Sequence, residues 1–257
     1  MRRLSTAACL AALAMAAALA PAAADAADEA DLARLRAGED CVKCDLLDAD
    51  LSGLSLKGRN LGGAFLDRAN LRGADLEGIN LSGASLVAAD LREANLKGAE
   101  FIIANLDNAI LAGADLSGAN FEAARMRDVD LKGVHGVGVS FTRARLRASD
   151  FTNARLAGAD FSRSQGPAAV FHEADLEGAN FRKGGYAGAQ FTDAKLVAAD
   201  FWGTDLWKAD LRGAAVAGAD FSGAHLRIAK LPERRDAAVF CRATMPDGSS
   251  NVTDCKS

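Results

Sequence analysis

The sequence has no concentration of positive charge: 30 Lys and Arg stand against 34 Asp and Glu, a formal net charge of −4 over 257 residues. That balance excludes the basic footprint of a nucleic-acid-binding domain, and it is too mild to make the chain an acidic mimic of nucleic acid on charge alone. Histidine is scarce. His135, His172 and His225 are the only three, and they lie far apart on no shared face, which argues against a metal centre. Past the first two dozen residues no apolar run approaches the ~20 residues that a membrane-spanning helix needs, so stable membrane insertion is not expected. No paired acid and base or activated nucleophile stands out, so no catalytic residue, cofactor or metal is assigned and the chain reads as a non-enzyme. The glycine-rich run from Gly133 to Gly138 lacks the lysine and the strand-to-helix setting of a phosphate loop.

What is present begins with an address. Met1-Arg2-Arg3 precedes a Leu- and Ala-rich stretch to Ala20, then Pro21 and Ala22-Ala23-Ala24 before Asp25. A short basic end, an apolar middle and a small-residue cleavage site make residues 1–24 a secretory signal peptide, so the mature chain is expected in the periplasm or outside the cell. Arg2-Arg3 alone is too little for twin-arginine export. Cys9 precedes its apolar region, with Thr6 where a lipoprotein signal needs a large aliphatic. The mature chain carries 28 basic and 34 acidic residues, and its four cysteines, Cys41, Cys44, Cys241 and Cys255, are disulfide candidates in an oxidising compartment.

The dominant feature is a repeat of five. Stepping by five from Leu46 to Leu231 gives 38 positions, of which 36 are Leu, Phe, Met, Val or Tyr; only Gly136 and Gly166 break the series. Ala fills 27 of the 38 sites two residues earlier. A step of five rotates successive Leu by about 140° on an α-helix, giving no stripe, and it flips them between the faces of a strand. The chain must therefore turn about once per pentad, as a coil of short extended segments does, with each coil paired to the next. Ten of the twelve phenylalanines sit at pentad centres, all on alternate pentads. With four pentads per coil, Phe101, Phe121, Phe141, Phe161, Phe181, Phe201 and Phe221 form one internal column, and Phe151, Phe171 and Phe191 another on the opposite wall. A three-sided coil would scatter these rings. Four sides give 9.5 coils, and at a strand spacing of ~4.8 Å a rod about 45 Å long.

The motif, as in Ala69-Asn70-Leu71-Arg72-Gly73 and Ala114-Asp115-Leu116-Ser117-Gly118, resembles the pentapeptide-repeat family. The resemblance implies an all-β solenoid, a right-handed quadrilateral β-helix of about 9–10 coils, over residues 44–231. Its cysteine-bearing ends resemble those of secreted bacterial members. Residues 25–43 are expected to form an N-terminal helical cap, with a short amphipathic helix from Asp28 to Gly38. Residues 232–257 are expected to form a C-terminal cap after the repeat stops at Pro232, with a hairpin turning at Met245-Pro246-Asp247-Gly248. An end left uncovered would allow an end-to-end dimer.

The resemblance points to a rigid scaffold for an unidentified protein partner. The family also contains gyrase-binding DNA mimics, a second reading that export opposes. A third uses Cys41-Val42-Lys43-Cys44 as a redox-active pair, but no thioredoxin-like βαβ unit surrounds it, which favours a structural disulfide or buried thiols. Two departures from the pentad, around His135-Gly136 and Gly166-Pro167, are expected to kink the coil or loop outward. Ile102, Ile103, Trp202 and Trp207 stand at outward positions where polar residues are usual, and they are the candidate partner surface.

Overall fold

A computed structural model describes residues 27–252 and residue 255; the proposed signal peptide lies outside the described residues. Each residue type in the pentad has a mechanical role, seen in the unit from Ala69 to Ala74. Leu71 and Ala74 point inward and are fully buried. Between them the chain turns, closed by the N–H of Ala74 donating to the Leu71 carbonyl at 3.1 Å. The residue before that Ala adopts a left-handed conformation, here Gly73 with φ +63°, which is why glycine recurs there. The Asn70 carboxamide oxygen accepts from the Arg72 N–H at 3.2 Å, and Asp50, Asp75, Asp90 and Asp115 do the same two residues on. The recurrent Asp or Asn before the centre therefore stiffens the corner as an Asx turn.

Coils pair through the backbone. From Asp45↔Phe65 to Asp210↔Lys230, every residue preceding a centre bridges in parallel to the residue twenty further on. Twenty residues at five per side make four sides. The long phenylalanine column stacks at centroid spacings of 4.7 to 5.1 Å from Phe101 to Phe221. The short column of Phe151, Phe171 and Phe191 stacks at 4.8 Å. Rings of the two columns meet edge to face across the core at 5.6 to 5.7 Å, the mutual geometry that aromatic quadrupoles favour.

At the N-terminal end α1 (Glu29–Arg36) lies over the first coil, with Leu35 buried and Leu32 packed on the core. Asp28 caps it by accepting from the N–H groups of Ala30 and Asp31, and Asp31 accepts from the N–H of Asp45 at 3.0 Å. These contacts use donors that the terminal rung would leave without a partner.

At the other end the repeat does not stop at Pro232. It resumes one residue short: Asp220 bridges to Val239 and His225 to Thr244, nineteen apart, and Phe240 stacks on Phe221 at 5.1 Å to extend the long column. The side between is where the frame slips. Pro232 is buried but has no N–H for the ladder, and Glu233-Arg234-Arg235-Asp236 after it offers no apolar centre to bury, so residues 233–236 stand off, leaving a cleft of about 600 Å³ against Ala214–Ala217 and Leu231. The tail then folds back, Thr244 pairing antiparallel with Ser250.

Candidate functional site

The cysteines close both ends. Cys41 joins Cys44, and Cys241 joins Cys255. Cys41 occupies a pentad-centre position and Cys44 an alanine position, both buried beneath α1. Asp31 lies within 4.8 Å of the two sulfurs, but disulfide sulfurs are neither thiolates nor donors, so this trio offers no metal site while oxidised. The 3.5 Å approach of the Cys41 sulfur to the Asp31 carbonyl is a packing contact for the same reason. A pair sealed in this way is poorly placed for thiol exchange with another protein.

The two glycine departures neither loop out nor shift the register; His135 bridges to Arg155 and Gln165 to Gly185 in frame. Both are accommodations of a neighbour. A Cβ on Gly166 would lie 2.6 Å from the Tyr186 ring in the next coil, and one on Gly184 would lie 2.7 Å from that ring's other edge. Tyr186 is fully buried, and burial pushes its hydroxyl well above the ordinary phenol range. Its OH donates to Ser164 Oγ, which donates to the Phe161 carbonyl at 2.5 Å. Pro167 follows at the corner, half-buried. At Gly136 the displaced volume belongs to Val139, whose Cγ2 would be 2.7 Å from an added Cβ. There the turn opens, the 136–139 closing bond is absent, and Val137 is left exposed above a cleft of about 240 Å³ that His135 also lines.

The histidines stay apart and bind locally: His135 Nε2 lies 3.4 Å from Asp115, His172 Nδ1 2.9 Å from Thr192 Oγ1 and His225 Nδ1 3.1 Å from Asp205. Of the outward apolars, Ile102 is half-buried while Ile103 is exposed with φ +54°. Trp202 and Trp207 leave the coil at successive corners, each about one-third exposed. Neither indole is bare. The Arg182 guanidinium stands 4.7 Å and the Lys183 ammonium 5.0 Å from the Trp202 ring, and Lys208 stands 4.1 Å from Trp207.

The charged surface is laced between coils. Asp107 is the most enclosed carboxylate, taking Arg125 and Arg127 at 2.7 Å each. Burial alone would raise its pKa, but the hydrogen bonds from the Arg127 side chain and backbone and from Arg125 prevail and hold it at about 2. Asp210 is likewise held at about 2, first by Arg212 and, against the pull of burial, by Lys230. Sequence reading missed one arrangement. Thr142, Arg143, Ser162, Arg163, Arg182 and Lys183 line a cleft of about 290 Å³ along one corner; the step of twenty that aligns the phenylalanines aligns these residues too.

A five-residue unit, four units per coil and a ladder at twenty residues describe the chain from Asp45 to Lys230. Sequence models of the pentapeptide repeat region match residues 104–181, and models of eight-copy pentapeptide repeats match residues 49–86, 84–122 and 189–227. The chain belongs to the pentapeptide-repeat family. Membership brings the right-handed quadrilateral β-helix, and proteins of this family are generally non-enzymatic. Among solved structures, the chain is similar to HetL, a pentapeptide-repeat protein involved in heterocyst differentiation regulation in the cyanobacterium Nostoc sp. strain PCC 7120. The identity is 27% over 86% of this chain and 97% of that one, with a TM-score of 0.37. QnrB1, a plasmid-mediated fluoroquinolone resistance protein, is 18% identical over 77% of this chain and 91% of its own, with a TM-score of 0.48. Rfr23 of the cyanobacterium Cyanothece 51142 is 19% identical over 82% and 98%, with a TM-score of 0.23. At these TM-scores the four-sided assignment rests on the ladder rather than on superposition. No curated protein matches the chain in sequence.

Proposed function

We propose that this pentapeptide-repeat protein is exported and serves as a rigid scaffold that presents one side to a protein partner. The observation that carries the reading is the interior: from Leu46 to Ala243 the inward sites are filled mainly by Leu, Phe, Ala and their like, and the hydroxyls of buried Ser149, Ser164 and Thr204 are spent on backbone carbonyls. Recognition therefore has to use the outer surface, where the backbone ladder holds side chains at fixed spacings along the rod. Export draws support from residues 1–24 and from two disulfides in so small a protein. A gyrase-binding DNA mimic would need an anionic surface facing its target, and the arginine-rich corner at 143–183 opposes that reading.

The test has two readouts. Expressed in full, the chain should be recovered from the periplasm or medium with Asp25 at its N-terminus, and the mature protein should retain a specific partner through affinity capture. Recovery of the uncleaved chain from the cytoplasm would overturn export. Gyrase inhibition by the mature protein would replace the scaffold reading with mimicry.

A further inference from the structure

One corner carries a cationic stack that carboxylates leave largely uncovered. At many sites a cation faces a carboxylate of the next coil, as in Lys57–Glu77 at 2.8 Å, Lys97–Asp115 at 3.1 Å and Lys195–Asp175 at 3.1 Å, and Asp107 draws in both Arg125 and Arg127 beside the Arg125–Arg145 bridge. Arg143, Arg163 and Lys183 instead occupy the same corner site in three successive coils, twenty residues apart, with Arg182 beside Lys183. Carboxylates reach them only at the two ends, Glu122 on Arg143 at 3.1 Å and Asp200 on Arg182 at 2.8 Å. Among the described residues no carboxylate pairs with Arg163 or Lys183. Like charges on neighbouring strands destabilise the pairing, so the stack is unfavourable until an anion lies along it. Two hydroxyls share the cleft. That of Thr142 accepts from Ser140 at 3.1 Å, which leaves its own proton to donate, and Ser162 repeats the position one coil on.

We propose that this corner binds an extended acidic segment of a partner protein, an inference that rests on the scaffold reading and gives it a surface. The length fits: from Arg143 to Lys183 is two coil rises, about 10 Å, which three residues of an extended chain cover at ~3.3 Å each. Trp202, next along the corner, decides between polymers. Arg182 and Lys183 already stand over its ring, occupying aromatic surface on which a base or a sugar would stack, while Lys183, with which no carboxylate of the described residues pairs, keeps its donors for a carboxylate in front of it. The net charge of −4 further disfavours a long phosphate polymer away from this one corner.

The mature protein, titrated into a fluorescein-labelled hexaglutamate peptide and followed by anisotropy, should bind it with an affinity that falls as salt rises. Arg163→Glu with Lys183→Glu should weaken binding by at least about tenfold, and Lys97→Glu, on another corner, should leave it unchanged. The unliganded Arg163→Glu/Lys183→Glu protein should unfold at the same or higher denaturant than the parent, because Arg143 then faces a carboxylate at 163 and one of the two like-charge contacts in the stack is removed. Arg163→Gln provides a milder variant with the same direction of effect. Equal binding by parent and double variant would overturn the site. Tighter binding of a hexauronate oligosaccharide or of oligo(dT) than of hexaglutamate would overturn the choice of partner. Capture of one native partner by parent and double variant alike removes this corner and leaves the scaffold standing; loss of a partner for both removes the scaffold itself.

Discussion

Gly166→Ala is the sharpest probe of the core, because it adds one methyl where the structure leaves room for none. The new Cβ would lie 2.6 and 2.9 Å from two Tyr186 ring carbons and 3.3 Å from the Ala169 Cβ. The ring has little freedom to yield: Gly184 stands against its opposite edge, its hydroxyl is tied to Ser164, and Phe181 packs edge to face at 5.1 Å. Overpacking of this kind costs about 1–3 kcal/mol. The reduced freedom of the unfolded chain returns about 0.4–1, for a net loss near 1–2 kcal/mol. Tyr186→Leu alone should cost about 2–3 kcal/mol for the vacated volume. In the double variant the methyl occupies space the ring has left, so the two losses should not add. Guanidinium unfolding followed by far-ultraviolet circular dichroism, on all four corners of the cycle, should give a coupling of about 1–2 kcal/mol. Additivity within about 0.5 kcal/mol would refute the claim that Gly166 is there for Tyr186.

Ile103→Gly should stabilise the protein by about 1 kcal/mol in the same assay, since a β-branched side chain is held at φ +54° with its surface exposed. Removing the Cys241–Cys255 link by Ala substitution at both positions releases a closure of 14 residues and should cost about 3 kcal/mol, with hydrogen exchange rising first in residues 237–252. Asp107 and Asp210 titrate near 2 in the folded protein against an ordinary 3.8; because folding lowers both pKa values, their stabilisation is complete above about pH 4 and is lost as pH falls toward 2. Asp107→Asn should therefore lower stability at pH 7 by about 2 kcal/mol and flatten the acid limb, whereas an unchanged limb would exclude the Arg125 and Arg127 contacts as its source.

The five-residue frame made most of this architecture legible, because each inward site is chosen by volume and each corner by turn chemistry. The phenylalanine columns gave the number of sides from sequence spacing alone. Three features escaped. Ala238-Val239-Phe240 and Ala243-Thr244-Met245 carry the repeat's own pattern, but a fixed step of five hides them after a one-residue deletion. Gly136 and Gly166 read as breaks since their large partners, Val139 and Tyr186, are supplied by other pentads, and only three-dimensional register connects Gly166 to a ring twenty residues away. The cationic corner was obscured by composition: net charge averages over four sides, whereas the stack of Arg143, Arg163 and Lys183 lies on one.

Photo-cross-linking from the four sides of a single coil tests the proposal that one side of a rigid rod carries recognition. A benzophenone side chain placed in turn at Arg163, Ala168, Glu173 and Glu177, all exposed, samples successive corners at nearly the same height on the rod. In the exporting cell the account predicts a covalent adduct to one protein from position 163, a weaker one from 168, and none from 173 or 177. Equal labelling from all four positions, or an adduct confined to 173 and 177, would contradict it.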